Sequence, residues 1–103
     1  MVPFDASKAR TGAVLNDIDA ASLQSSKQVL EQWRIDIQAD LLAKNVRRGT
    51  IIEVNRDGAI LSGHHGARAA AEMGLPVDVL VRDLPVPSHG QILTIPVVQN
   101  LQP

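Results

Sequence analysis

The chain has 103 residues, of which 45% are hydrophobic and 20% charged, a length that suits one domain and a balance that excludes a disordered or fibrous protein. Ten Lys and Arg against eleven Asp and Glu give a formal net charge of −1, which excludes bulk positive charge for non-specific DNA binding. The absence of Cys excludes disulfides, thiolate catalysis and cysteine zinc sites, while one Trp, one Phe and no Tyr require an aliphatic core and count against base stacking in series.

The chain begins with a segment that has no sustained period and then a short apolar run. Residues 1–12 are predicted to be a lead-in segment, residues 13–99 a single domain, and residues 100–103 a tail. Within the domain, residues 13–15 suit a short strand. The polar residues that follow suit a turn, and they are Asn16, Asp17 and Asp19.

A long helix is predicted over residues 26–43. Ser25 and Gln28 have the spacing of a capping box at its start. The apolar residues that recur at helical spacing, and are expected to face the core, are Leu30, Trp33, Ile37 and Leu41. The side chains expected in water on the opposite face are Gln32, Asp36 and Asp40.

The segment after this helix predicts a β-hairpin and a second helix. Residues 50–54 and 59–61 are apolar and flank Arg56-Asp57-Gly58, a strong hairpin turn signal. An Ala-rich helix follows a Gly-flanked turn and is expected to end at Gly74, because glycine suits a helix C-terminus and Pro76 cannot continue the helix.

The rest of the chain predicts a buried strand at 77–81, a Pro-rich loop at 84–89, and a final strand or extended tail at 91–98. Strands and helices therefore alternate without an internal repeat. The predicted fold class is mixed α/β.

The turn between the hairpin and the second helix predicts an anion site. A strand that ends in such a turn and opens a helix exposes unpaired N–H groups at the positive end of the helix dipole. Gly63 and Gly66 would allow close approach of a phosphate, the N–H groups up to Ala67 would bind it, and Arg68 would add a charge-assisted bond. The alternative is that both glycines only serve a tight turn.

His64 and His65 are candidates for a general acid or base, because imidazole titrates near neutrality and the anion site would lie beside it. Adjacent residues cannot easily face one metal ion, and His89 lies in a distant loop, so no metal site is predicted. The alternative is that one of the pair packs or caps and the other is exposed.

Two further residues are candidates for a supporting role at the anion site. Glu53 alternates with apolar residues in a strand, so it faces either water or the cleft, where it would be catalytic. Arg48 belongs to a basic connection that either binds phosphate or is a solvated helix end favoured by the dipole.

Residues 51–81 resemble the core of the ParB and sulfiredoxin superfamily. The resemblance lies in the order of parts: a hairpin interrupted at Asp57-Gly58, a Gly-containing phosphate-binding turn, a short Ala-rich helix and a further strand. The helix at 26–43 also fits, so the resemblance covers roughly residues 15–81.

The resemblance implies a phosphate ligand that belongs to a nucleotide or nucleic acid. Gly63 matches the turn glycine of the family, His64 stands where sulfiredoxins carry a reactive Cys, and His65 matches a His that commonly follows. Sulfiredoxin activity is therefore excluded. Gly66 departs from the family by replacing the Arg that grips phosphate, and Arg68 matches an Arg frequent in partition proteins.

The leading hypothesis is a phosphate-directed enzyme, either a nucleotide hydrolase or a nuclease. Small domains of this family are known at the C-terminus of polymorphic bacterial toxins, which implies a cytoplasmic site of action, delivery within a larger protein and a cognate immunity protein. Mg²⁺ is the candidate cofactor, and neither an organic cofactor nor a membrane is expected. The alternative is a non-catalytic nucleotide-binding or protein-interaction domain.

Overall fold

A five-stranded mixed sheet carries the helices of this α/β domain. The computed structural model describes residues 1–44 and 51–99. The strands of the sheet are β1 (Val14–Asp19), β2 (Gln24–Ser25), β4 (Ile51–Val54), β5 (Ala59–Ser62) and β6 (Pro76–Val81). Their order is β1-β6-β4-β5-β2, in which β4 runs parallel to β6 and antiparallel to β5, and β2 runs parallel to β5. The predicted mixed α/β class is confirmed.

The described residues form two α-helices and a second, two-stranded sheet. Helix α1 is Gln32–Ala43 and helix α2 is His64–Met73. Helix α2 contacts β4 and β6, and α1 contacts α2. The second sheet pairs β3 (Leu30–Glu31) with β7 (Val97–Val98) in parallel. Neither helix is long and apolar enough to cross a membrane within the part of the chain described.

The core between the helices and the sheet is aliphatic, as the composition predicts. Phe4 packs against it only partly buried, and alternate positions of the central strands supply part of its buried side chains. The strand residues in this core are Ile18, Leu30, Ile52, Val54, Ile60, Val77, Val79 and Val81.

The predicted hairpin is confirmed as β4 and β5. Asn55, which lies just before the predicted turn, accepts hydrogen bonds from the N–H groups of Asp57 and Ala59 at 2.9 and 3.0 Å through its buried side-chain oxygen. Gly58 has φ +85°, a left-handed conformation that suits glycine. Local side-chain chemistry therefore fixes the turn.

The predicted helix over residues 26–43 begins too early. Helix α1 begins at Gln32, and Glu31 precedes it without a side-chain cap. Ser25 makes no capping box, because its hydroxyl donates to the carbonyl of Lys27 instead. Leu30 is buried but lies in β3, where its N–H donates to the carbonyl of Pro96 at 2.9 Å. Pairing with a distant segment thus overrides the helical period.

The face of α1 that is buried also differs from the prediction. Ile35 and Leu42 are buried, whereas Ile37 is 48% exposed and Leu41 is 36% exposed. Trp33 is half-buried. Of the residues predicted to face the core, Ile37 and Leu41 therefore face outward, because α1 docks on α2 through a neighbouring stripe.

The polar residues after position 15 do not form the predicted turn. Asn16, Asp17 and Asp19 continue β1, whose pairing with β6 shifts register between Leu15 and Ile18. Asp17 has φ +61°, so the irregularity is a bulge within a strand. Short polar residues that favour turns also tolerate the left-handed conformation of a bulge, and the sequence did not separate these two outcomes.

The first and last described segments pack onto the domain, and the tail predicted at 100–103 lies outside the described residues. In the segment 1–12, Val2 bridges Ile18, the N–H of Phe4 donates to the hydroxyl of Ser22 at 2.8 Å, and Ala9 is buried. At the other end, the predicted strand or tail at 91–98 consists of a 3-10 helix, Ile92–Thr94, followed by β7.

Candidate anion-binding site

The turn that joins β5 to α2 requires glycine. Gly63 lies just before the helix with φ +97° and ψ +25°, a left-handed conformation that other residues adopt at a cost. A Cβ atom at Gly63 would lie 2.8 Å from Cδ1 of Ile52, which is fully buried. The turn therefore lies directly against β4, and its backbone can reverse there only with glycine.

The first turn of α2 presents main-chain donors. The N–H groups of the first three helical residues, His64, His65 and Gly66, have no acceptor within the helix. The predicted role of Ala67 is not supported, because its N–H donates to the carbonyl of Gly63 at 2.9 Å and its side chain is buried. The donors available to an anion are therefore those of residues 64–66.

Residues 64–66 line a recess of about 460 Å³. Helix α1 contributes Arg34 and Gln38 to its wall, and the loop before α1 contributes Lys27. The other described lining residues are Ile51, Leu61, Ser62, Gly63, His64, His65 and Gly66. The recess is thus built by four segments, namely the loop before α1, α1 itself, the start of β4 and the β5–α2 turn.

The charges around this recess are positive. Lys27 is exposed and makes no ion pair with any described residue, whereas Arg34 pairs with Glu31 at 3.2 Å. No Asp or Glu is among the described residues that line the recess. Lysine and arginine beside a helix N-terminus attract an anion.

His64 is buried and its imidazole holds the loop before α1. The N–H of Ser26 donates to Nε2 of His64 at 3.1 Å, and the hydroxyl of Ser26, which lies 3.2 Å from the same atom, donates to the carbonyl of Ile60. Because Nε2 accepts, the proton of the neutral ring is on Nδ1. Burial, and then the charges of Lys27 and His65, lower the pKa of His64 to about 4.

His65 is half-buried and has a similar attachment. The N–H of Glu31 donates to its Nε2 at 3.2 Å. Burial, and then the charges of Lys27 and Arg34, lower the pKa of His65, while Glu31 acts in the opposite direction. Both imidazoles therefore favour the neutral form, and both Nε2 atoms accept main-chain hydrogen bonds.

The remaining predicted site residues lie elsewhere. Arg68 is turned away from the anion site, because its guanidinium donates to the carbonyls of Ile92 and Ile95 at 3.0 and 2.9 Å and pairs with Glu72. Glu53 is not among the described lining residues, and its carboxylate accepts from Arg82 at 2.6 Å. Arg48 lies outside the described residues.

The predicted turn residues Gly63, His64, His65 and Gly66 do come together at the recess. The sequence analysis missed Ser26, Lys27, Arg34 and Gln38. Their type gave no signal, since each is an ordinary surface residue of a predicted helix. The packing of α1 on α2 brings Arg34 and Gln38 to the turn, and the contact of the preceding loop with His64 brings Ser26 and Lys27.

The expected Mg²⁺ stays a prediction. Within the ranges 1–44 and 51–99, no three His, Asp or Glu side chains are grouped as ligands of a metal ion. Glu53, the carboxylate expected to help hold the cation, is already paired with Arg82. We therefore derive no chemical step through a metal ion.

Comparisons with known proteins found no relative of this chain. No protein-family model matches the chain. Searches of curated proteins and of solved structures likewise found no match.

Proposed function

We propose that the chain binds the phosphate group of a nucleotide or nucleic acid at the start of α2. One observation carries the proposal: the first three residues of α2, whose N–H groups have no acceptor within the helix, line a recess together with Lys27, a cation without an ion-pair partner among the described residues. A phosphate there would accept hydrogen bonds from the helix terminus and meet the ammonium group of Lys27.

We also propose that the domain has a ParB/sulfiredoxin-like fold. The order of elements supports it, since the hairpin β4–β5, the Gly63 turn, the Ala-rich helix α2 and strand β6 follow one another as that resemblance implies. The parallel pairing of β6 with β4 also supports this proposal.

Binding without turnover is the better supported form of this function. An imidazole whose Nε2 already accepts an N–H cannot take a proton there, and this applies to His64 and His65 alike. The neutral rings therefore carry their proton on Nδ1. The carboxylate predicted to assist catalysis, that of Glu53, faces Arg82.

The experiment is a phosphate titration monitored by the backbone amide NMR signals. With inorganic phosphate or pyrophosphate at pH 7, we expect saturable shifts of the signals of residues 64–66. Lys27→Gln should weaken binding about 5-fold or more, a loss typical of a charge-assisted contact. Lys8→Gln removes the same charge from a remote 3-10 helix and should have no effect. Unshifted signals at residues 64–66 would reject the proposal.

A second measurement separates binding from hydrolysis. Nucleoside triphosphates, DNA and RNA are incubated with the protein, with and without Mg²⁺, and released phosphate and cleaved strands are measured. We expect saturable binding without turnover. Turnover that is lost in His65→Ala but kept in His89→Ala would instead establish that the protein is a nucleotide hydrolase or a nuclease.

A further inference from the structure

A second, smaller recess adjoins the anion site. It has a volume of about 210 Å³ and is lined by Trp33, Arg34, Ile37, Gln38 and His65. Three of these residues, Arg34, Gln38 and His65, also line the larger recess. The two therefore form one continuous concave surface, cationic at the start of α2 and apolar along the outer face of α1.

The apolar end has a preorganised aromatic ring. The indole N–H of Trp33 donates to the carboxylate of Glu31 at 3.0 Å. The guanidinium of Arg34 lies over one face of the ring, 5.1 Å from its centroid, so a ligand would stack on the other face. Both contacts hold the ring in place while it stays half-exposed. A ring fixed before binding loses little entropy when a flat ligand stacks on it.

Ile37 lies one helical turn beyond Trp33 and is 48% exposed. An exposed apolar pair at this spacing does not stabilise the core of the described chain. It does suit the apolar part of a ligand, because such sites combine apolar side chains with a few polar groups that fix orientation.

Gln38 provides such a polar group. Its side-chain amide makes no hydrogen bond with any described residue, and it lies between the two recesses. An amide both donates and accepts, and the edge of a nucleobase offers both partners.

We propose that the recess at Trp33, Ile37 and Gln38 binds the ring of a nucleobase whose phosphate lies at the start of α2, so that the ligand is a single nucleotide. This inference rests on the phosphate site proposed above. Trp33 is the only Trp of the chain, so only one base can stack on a Trp ring. A nucleic-acid strand, which is bound through aromatic rings in series, fits this surface less well.

The test compares ligands that share a phosphate and differ in the ring. AMP, GMP, CMP and UMP are titrated against ribose 5-phosphate at pH 7, with affinities measured by calorimetry. At least one of the four should bind about 10-fold or more tightly than ribose 5-phosphate, the gain expected from one stacked base. It should also quench the fluorescence of Trp33, which reports directly because no other Trp is present.

Variants on α1 locate the contact. Trp33→Leu keeps an apolar side chain at a half-exposed position and should reduce the affinity for the preferred nucleotide to that for ribose 5-phosphate, with ribose 5-phosphate itself unaffected. Leu41→Ala removes an exposed apolar side chain one turn beyond Ile37, outside both recesses, and should change neither affinity. Circular dichroism confirms that each variant is folded.

The two proposals fail in different ways. Equal affinity for the four nucleotides and ribose 5-phosphate, with unchanged Trp33 fluorescence, would overturn the base recess and leave the phosphate site standing. Failure of every phosphate compound to shift the amide signals of residues 64–66 would overturn both. The fluorescence of the unmodified protein decides the question even if Trp33→Leu does not fold.

Discussion

His64 links the anion site to stability through a single nitrogen atom. Its Nε2 accepts the N–H of Ser26, and protonation would place a second N–H against that donor. The folded chain therefore binds a proton at His64 less readily than the unfolded chain does, in agreement with a pKa lowered to about 4. The unfolded value is near 6.5.

The first prediction follows because the pKa of His64 is lower in the folded chain than in the unfolded chain. Because the folded pKa is depressed, the contribution of His64 is fully present above pH 6.5 and is lost as the pH falls towards 4. Urea denaturation between pH 4 and 8 should show the free energy of unfolding rising through this window. In His64→Gln the free energy of unfolding should rise less over this range. In the control His89→Gln it should rise as much as in the wild type. Parallel curves for the wild type and His64→Gln would contradict the assignment.

The second prediction concerns the two glycines that flank α2. Gly63 and Gly74 both have left-handed backbones, with φ +97° and +68°, but only a Cβ at Gly63 would meet another side chain. Gly74→Ala should cost roughly 1 to 2 kcal/mol from backbone strain alone. Gly63→Ala should cost about 1 kcal/mol more, because the buried Ile52 must move. Equal free energies of unfolding for the two variants would show that Ile52 yields freely.

At the scale of elements, Arg68 attaches α2 to the C-terminal segment. Its guanidinium serves two main-chain carbonyls of residues 92 and 95, whose side chains are buried. The side chain of Arg68 is only 13% exposed, so these bonds are shielded from water. Arg68 therefore has a structural role that spacing along the sequence could not reveal.

The third prediction tests this attachment. Arg68→Leu leaves the two carbonyls without their donor and should lower the free energy of unfolding by about 1 to 3 kcal/mol. Hydrogen exchange should accelerate most at residues 92–98. Glu72→Gln removes only the exposed ion pair of Arg68 and should cost less than about 0.5 kcal/mol. A stable Arg68→Leu variant with unchanged exchange would show that Arg68 does not hold this segment.

The elements differ in how far local signals determine them. The hairpin and α2 were predictable, because Asn55, Gly58 and Gly74 each impose a local conformation. Helix α1 was predicted six residues too long, since nothing local in residues 26–31 shows that Leu30 will pair with β7. Contacts distant in sequence cannot be read from periodicity.

At the scale of the whole molecule, the first residues complete the fold of the sheet edge. Val2 exchanges hydrogen bonds with Asp17 and Asp19 of β1, and the ring of Phe4 lies against Gly58, where an added Cβ would come within 2.9 Å of it. The segment predicted as a lead-in thus bridges the outer strand β1 and the hairpin turn.

The fourth prediction follows from this bridge. Phe4→Ala should lower the free energy of unfolding by about 1 to 3 kcal/mol, less than for a fully buried Phe, because the ring is only partly buried. Ser7→Ala changes an exposed residue of the same segment and should have little effect on the midpoint of thermal unfolding. An unchanged midpoint for Phe4→Ala would mean that the segment adds nothing to stability.

The biological setting at the same scale remains a prediction. The expectation of a bacterial effector, with a cytoplasmic target and a cognate immunity protein, rests on the resemblance to the ParB and sulfiredoxin superfamily alone. A nucleotide that co-purifies with the protein, identified by mass spectrometry, would test the phosphate ligand in that setting.

The sequence by itself determined the mixed α/β class, the hairpin, the turn at Gly63 and the helix α2, because each depends on residues that are neighbours along the chain. Only the tertiary structure decided what surrounds that turn. It brought Lys27, Arg34 and Gln38 to it and turned Arg68 and Glu53 to other partners. The physical reason is that long polar side chains can reach many partners, and the packing of distant segments selects among them.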